Sequence, residues 1–209
     1  LFLSENVILP STLQILRRLM SDENLNDFFL VGGTGLALQI GHRYSVDLDL
    51  FCQAPFSTES VVAHLERKYN FHLASLEPNT VLGYIENVKT DFITHDYTLC
   101  TPLIHQSSLR LASIKDIGAM KLNVIAHSGQ RLKDFIDIYC ILETIPLSEL
   151  LEAYQIKYPN SSLLIPLKAL TYFKDIDPKI DPPIMQEKIP FDKLKDRLKT
   201  ATLNPTRTF

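Results

Sequence analysis

The sequence has no apolar run near the ~20 residues that a membrane-spanning helix requires, which excludes an integral helical membrane protein. Its first ten residues are apolar but are broken by Glu5 and lack a basic start, so they do not read as a secretory leader. Cysteine is scarce. Cys52, Cys100 and Cys140 stand far apart, form no CxxC pair, and leave an odd count that suits no closed disulfide framework. A reducing cytoplasm is the expected compartment. No Cys/His cluster has ligand spacing, so zinc is not expected. Positive charge is not in excess either. The formal net charge of -3 advertises no overall basic face of the kind that nucleic-acid binders carry. Repeats and low-complexity stretches are absent.

What remains is ordinary globular composition, 45% hydrophobic and 22% charged, in a chain of 209 residues that allows one large domain or two small ones. Leu13, Leu16, Leu19 and Met20 recur at helical spacing over 11–21. Phe28 to Val31 reads as a short strand ended by Gly32-Gly33, and Thr34 to Ile40 as a helix stopped by Gly41. Val46 to Phe51 alternates as a strand. Residues 57–69 form a predicted helix with Ser57 or Thr58 as N-cap. Phe71 to Ser75, Thr80 to Glu86 and Val88 to Thr94 read as strands. After Pro102 the pattern turns helical. Ser113-x-x-Asp116 resembles a capping box that opens a helix to about Ala126, and Leu132 to Glu143 forms another. Residues 174–190 read as an extended loop, and Phe191 to Thr200 as a last helix carrying Lys193, Lys195, Arg197 and Lys199. The expected class is α+β. A mixed sheet with flanking helices over 1–108 is followed by a helical region over 109–209.

The most informative segment is Val46-Asp47-Leu48-Asp49-Leu50-Phe51. In a strand, Val46, Leu48 and Leu50 share the core face while Asp47 and Asp49 share the other, roughly 7 Å apart. Two like charges so placed repel, and a hard cation between them removes that cost. Taken alone, the pattern also fits an edge strand with two solvated aspartates. Asp91, in Val88-Lys89-Thr90-Asp91-Phe92-Ile93, supplies a third carboxylate if its strand is a neighbour, with Asp96 as the competing candidate. Three converging aspartates are the ligand set of two-metal phosphoryl transfer. Ahead of them, Gly32-Gly33-Thr34 joins a strand to a helix. Glycines allow backbone amides close to a phosphate, and the helix N-terminus favours the same anion.

A strand, a glycine turn, a short helix and a D-x-D strand in that order resemble the signature of the DNA polymerase beta-like nucleotidyltransferase superfamily. Gly32-Gly33-Thr34-Gly35-Leu36-Ala37-Leu38 and Gly41-His42-Arg43-x-Ser45-x-Asp47-Leu48-Asp49-Leu50-Phe51 are similar to the bacterial AbiEii/AbiGii nucleotidyltransferase toxins. So are Ala119-Met120-Lys121-Leu122 and Arg131-x-Lys133-Asp134-Phe135-x-Asp137-x-Tyr139. These blocks cover roughly residues 28–140.

The resemblance implies a nucleotidyltransferase fold, a nucleoside triphosphate substrate, and magnesium (with manganese as a substitute) on Asp47, Asp49 and Asp91. It adds Lys121 and Asp137 to the catalytic set, Asp137 as a lysine-orienting carboxylate rather than a metal ligand. Lys115 is the rival of Lys121. Gly32, Gly33, Thr34, His42, Arg43, Ser45, Arg131, Lys133 and Asp134 become candidates for nucleotide binding. Tyr139 fits a core position better than a base-stacking one. The implied setting is a toxin–antitoxin or phage-defence system, with an antitoxin protein as partner and the tRNA 3′ end as first acceptor. A protein hydroxyl or an aminoglycoside-like small molecule are alternative acceptors. A module of another class, binding nucleotide or protein without chemistry, is the remaining alternative.

Overall fold

The computed structural model describes residues 2–177, 179–180, 182–185 and 187–209. The chain forms two compact units. Leu1–Gly41, Ser45–Thr98 and Pro102–Ala112 make the first; His42–Tyr44, Leu99–Thr101 and Ser113–Phe209 make the second.

The first unit is built on strands β1 (Phe29–Leu30), β3 (Leu48–Cys52), β4 (His72–Glu77), β5 (Thr80–Ile85), β6 (Val88–Thr94), β7 (Ile104–Gln106) and β8 (Leu109–Leu111). They form one mixed sheet in the order β4-β5-β6-β3-β1-β8-β7. β3 runs parallel to β6 and antiparallel to β1. Helices α1 (Pro10–Met20), α2 (Gly32–Ile40) and α3 (Thr58–Tyr69) belong to this unit. Leu13, Leu16 and Leu19 of α1 pack with Leu48 and Leu50 of β3 and Phe92 of β6 in one buried cluster. The Ser57 hydroxyl accepts the Ser60 amide to cap α3, and Gly41 closes α2 in the left-handed conformation, φ 68°. Both follow the sequence reading.

The second unit holds α4 (Ile114–His127), α5 (Leu132–Ile141), α6 (Leu147–Lys157), α7 (Leu164–Ala169) and α8 (Phe191–Leu203), with a small ribbon of β2 (Arg43–Tyr44) and β9 (Ile184–Met185). Ser113 caps α4 by accepting the Asp116 amide at 3.0 Å, as its spacing predicts. α4 packs on α5, α6 and α7, and α5 on α8. Among the described residues no helix is long and apolar enough to cross a membrane.

Three local expectations are corrected. Val46 precedes β3 and is exposed, so only Leu48 and Leu50 of the alternating set enter the core. α2 begins at Gly32 rather than Thr34, which makes the glycine pair its first turn. Residues 174–190 are not wholly loop, because Ile184–Met185 pairs antiparallel with Arg43–Tyr44; Pro178, Asp181 and Gln186 of that stretch lie outside the described residues.

Candidate active site

β3 and β6 are parallel neighbours, and Asp49 is the register partner of Asp91. Register partners present their side chains to the same face of a sheet. Asp91 therefore joins Asp49 on the face opposite the buried Leu48, Leu50 and Phe92. Asp47 is two residues before Asp49, at the mouth of β3. Its carbonyl accepts the Thr34 hydroxyl, and Thr34 Oγ1 lies 2.8 Å from Ser45 Oγ. Thr34 and Ser45 are both buried. The two hydroxyls thus clamp the backbone that carries Asp47 onto the first turn of α2.

Gly32 links the glycine turn to the carboxylates. Its φ is +63°, and a Cβ placed there would overlap Asp49 Oδ2 and stand 2.9 Å from Asp49 Cγ. Only glycine meets both conditions. Val31 offers no side-chain cap to α2, so the opening turn presents backbone donors and the positive end of the helix dipole. Gly32→Ala is expected to lower transfer by about a hundredfold, because it displaces the Asp49 carboxylate by about an ångström. The left-handed strain adds roughly 1–2 kcal/mol of destabilisation. Turnover and thermal melting measured together check this; a variant within threefold of wild type would disconnect Gly32 from the site.

Asp49 and Asp91 share a face of the sheet, and Asp47 stands just before β3. Among the described residues no three His, Cys, Asp or Glu side chains stand at metal-binding spacing. Asp91 Oδ2 is taken by the ammonium of Lys89 at 2.5 Å. Burial alone would lower the Lys89 pKa; the hydrogen bond and charge of Asp91, with Asp49 and Asp47 adding, raise it above the ordinary lysine value. Asp91 Oδ1 is buried with no hydrogen-bond partner. An orphaned carboxylate oxygen costs roughly 1–3 kcal/mol unless something binds it. An all-oxygen donor set with one buried oxygen in want of a partner fits magnesium or manganese. Asp96 lies in the exposed segment after β6, which leaves Asp91 as the carboxylate beside Asp49.

The second unit carries its own ion cluster. Asp137 of α5 is fully buried. It accepts Arg43 Nε at 2.7 Å on Oδ1 and Arg43 Nη2 at 3.0 Å on Oδ2, a bidentate fork. His42 Nε2 is 2.8 Å from Oδ1, and Lys121 Nζ 2.8 Å from Oδ2. Lys121 also donates to Asp134 Oδ1 at 2.6 Å, and Arg131 Nε to Asp134 Oδ2 at 2.9 Å. Burial would raise the Asp137 pKa; Lys121, Arg43 and the hydrogen bonds from His42 and Arg43 hold it well below the usual carboxylate range. Burial would lower Lys121, and Asp137 with Asp134 raise it instead, against an opposing push from Arg43. Three fixed cations against two carboxylates leave +1 before His42 is counted.

Lys115 pairs instead with Glu149 at 2.5 Å on a half-exposed surface. Lys133 is half-buried on α5. Tyr139 is buried beneath the Arg197 guanidinium, 3.6 Å from its ring centroid, in the core role its helical spacing suggests.

The thiols are poorly suited to nucleophilic work. Burial pushes Cys100 to about 11 and Cys140 to about 12, and raises Cys52 as well. Sequence reasoning overlooked Lys89. The available signal was its position two residues before Asp91 on a strand, which puts both side chains on one face.

Residues 14–82 match the family model described as nucleotidyl transferase AbiEii toxin, type IV toxin–antitoxin system. That span contains the glycine turn, Asp47 and Asp49. The uncharacterised protein aq_aa25 of Aquifex aeolicus is 30% identical over 168 residues, covering 78% of this chain and 81% of that protein. Two Helicobacter pylori crystal structures share the fold. One, described as a nucleotidyltransferase, has a TM-score of 0.60 at 16% identity over 95% of this chain and 96% of its own. The other, JHP933, has a TM-score of 0.58 at 16% identity over 98% and 93%. With the polymerase beta-like sheet and the glycine turn packed on Asp49, these matches place the chain in the AbiEii family of nucleotidyltransferases.

Proposed function

We propose that the chain transfers a nucleoside monophosphate from a nucleoside triphosphate to an acceptor hydroxyl, with Asp47, Asp49 and Asp91 holding the divalent cation. The observation that supports this best is the register pairing of Asp49 with Asp91, together with the unpartnered, buried Asp91 Oδ1. Magnesium or manganese bound there supplies Lewis acidity toward the α-phosphate and offsets charge on the leaving pyrophosphate.

The chain's own residues do the rest. Gly32 and Gly33 bring the amides of the first α2 turn near phosphate oxygens. Thr34 and Ser45 fix the backbone of Asp47. Asp91 accepts the proton of the attacking hydroxyl. In the second unit, Asp137 and Asp134 orient Lys121, Arg43, His42 and Arg131; these side chains, with Lys133, are proposed phosphate contacts. Positioning and preorganised charge carry most of the catalysis.

The proposed acceptor is RNA, with the tRNA 3′ end first, and the proposed setting a cytoplasmic toxin–antitoxin or phage-defence system with an antitoxin. The three free thiols suit a reducing compartment. The basic α8 is a weaker RNA contact than its sequence suggests. Arg197 is spent on Glu143 and the Tyr139 carbonyl, and Lys195 on Asp192 and the Phe191 ring. Lys193 and Lys199 are exposed.

The test is incubation with each labelled triphosphate, magnesium and total tRNA. Label is expected in RNA from one or more triphosphates and is expected to vanish with chelator. Affinity for tRNA should fall with salt, and replacing Lys193 and Lys199 by Glu should flatten the log–log slope by about 1–2. Label that survives chelation would refute the metal reading, and label found only on protein or small molecules would refute the RNA acceptor.

A further inference from the structure

We infer that Lys89 is the resident counter-cation of the carboxylate face, holding Asp91 Oδ2 and releasing it when a divalent cation binds. The inference rests on the reading of Asp47, Asp49 and Asp91 as the cation-binding group.

Four observations carry it. Lys89 Nζ stands 2.5 Å from Asp91 Oδ2, while the other oxygen of that carboxylate is buried and unpartnered. The Lys89 side chain is 44% exposed against 6% for Asp91, so the ammonium can swing into solvent and the carboxylate cannot. β6 places Lys89 and Asp91 on one face, and its pairing with β3 brings Asp49 beside them. Lys89 also interacts electrostatically with all three aspartates, not with Asp91 alone.

The charge balance gives the arrangement a purpose. Asp49 and Asp91 are register partners on one face, and like charges so placed repel whenever no metal is bound. The Lys89 ammonium offsets part of that charge and leaves a face that still attracts a dication. An ammonium donates hydrogen bonds but cannot share its carboxylate with a metal without like-charge repulsion. Exchange is therefore the expected outcome. Lys89 stabilises the metal-free protein and weakens its metal affinity. It also selects against monovalent ions, which do not repay its displacement.

Manganese binding without nucleotide tests this, since no turnover is involved. Free Mn²⁺ is followed by electron paramagnetic resonance for wild type, Lys89→Met, Lys89→Gln and Asp49→Asn. Removing the ammonium should tighten Mn²⁺ binding about tenfold, the scale of a unit charge several ångströms from a dication in a partly solvated site. In wild type, acylation of Lys89 followed by mass spectrometry should accelerate when Mn²⁺ is added, as the amine leaves its carboxylate. Unchanged or weaker binding in both Lys89 variants, or slower acylation with Mn²⁺, overturns the inference while leaving the metal site intact. Absence of saturable, Asp49-dependent binding in wild type overturns the metal site and the inference with it.

Discussion

Asp49→Asn is expected to lower nucleotidyl transfer by at least about a thousandfold, equivalent to roughly 4 kcal/mol of barrier. The substitution keeps the side chain's shape against Gly32 and removes one negative charge from the face that Asp49 shares with Asp91. Its effect on stability should have the opposite sign or be near zero, because Asp49 and Asp91 are register partners and like charges so placed repel. An inactive protein that melts at or above the wild-type temperature is the signature of residues kept for chemistry at the expense of stability. Transfer kinetics and calorimetry on the same preparations decide the matter. Retention of more than a tenth of the activity would mean that Asp49 does not hold the reacting group's cation.

Asp137→Asn should act the other way, through the fold. The carboxylate is fully buried and engages Arg43, Lys121 and His42. Replacing one oxygen by an amide turns a donor toward cations and leaves buried positive charge uncompensated. Such changes cost about 3–5 kcal/mol. Denaturant unfolding followed by far-ultraviolet circular dichroism should show that loss.

The acid side separates wild type from variant further. The Asp137 pKa is depressed in the folded state, so its stabilisation is complete above the unfolded value near 4 and disappears as pH falls through the lower folded value. Wild type should therefore lose stability more steeply than Asp137→Asn as pH falls below about 4. Lys121 works in the alkaline direction. Its raised pKa gives stability that is complete below the ordinary lysine value and lost only as pH climbs past the folded one. Parallel acid profiles for the two proteins would show that Asp137 is not ionised within the cluster.

The legible parts of the sequence were those where local chemistry and tertiary structure agree. Ser57 and Ser113 announced helix starts and cap them; Gly41 announced a helix end and adopts the left-handed conformation that the end requires. The Leu48-Asp49-Leu50 alternation put the leucines in the core and Asp49 on the other face because the strand period is fixed. The β7–β8 hairpin was invisible for a definite reason. Its turn is Ser107-Ser108, both with positive φ, where Asn-Gly or Asp-Gly is the usual signal. The β2–β9 ribbon pairs Arg43–Tyr44 with residues some 140 positions later, a contact that no local pattern encodes. That the Thr34 hydroxyl donates to the Asp47 carbonyl is not legible in the sequence, because no local pattern places that carbonyl beside the glycine turn. Lys121, Asp134 and Asp137 were grouped through family resemblance; their distances add that Arg43 and His42 share one buried carboxylate with Lys121.

The chain route makes the two units inseparable by a single cut. His42–Tyr44 and Leu99–Thr101 are short excursions out of the sheet-bearing unit into the helical one. The first delivers Arg43 to Asp137, and the second delivers the Cys100 amide to Asp116, which also binds the buried Lys157 at 2.9 Å. A fragment ending at residue 112 keeps Arg43 but loses its carboxylate. The complementary fragment keeps the buried Asp116 and Asp137 and loses the Cys100 and Arg43 donors that satisfy them. Divided there, each piece inherits the other's unpaid electrostatic debts, so swapping helical regions between relatives at this junction should yield insoluble protein unless the tripeptides travel with their partners.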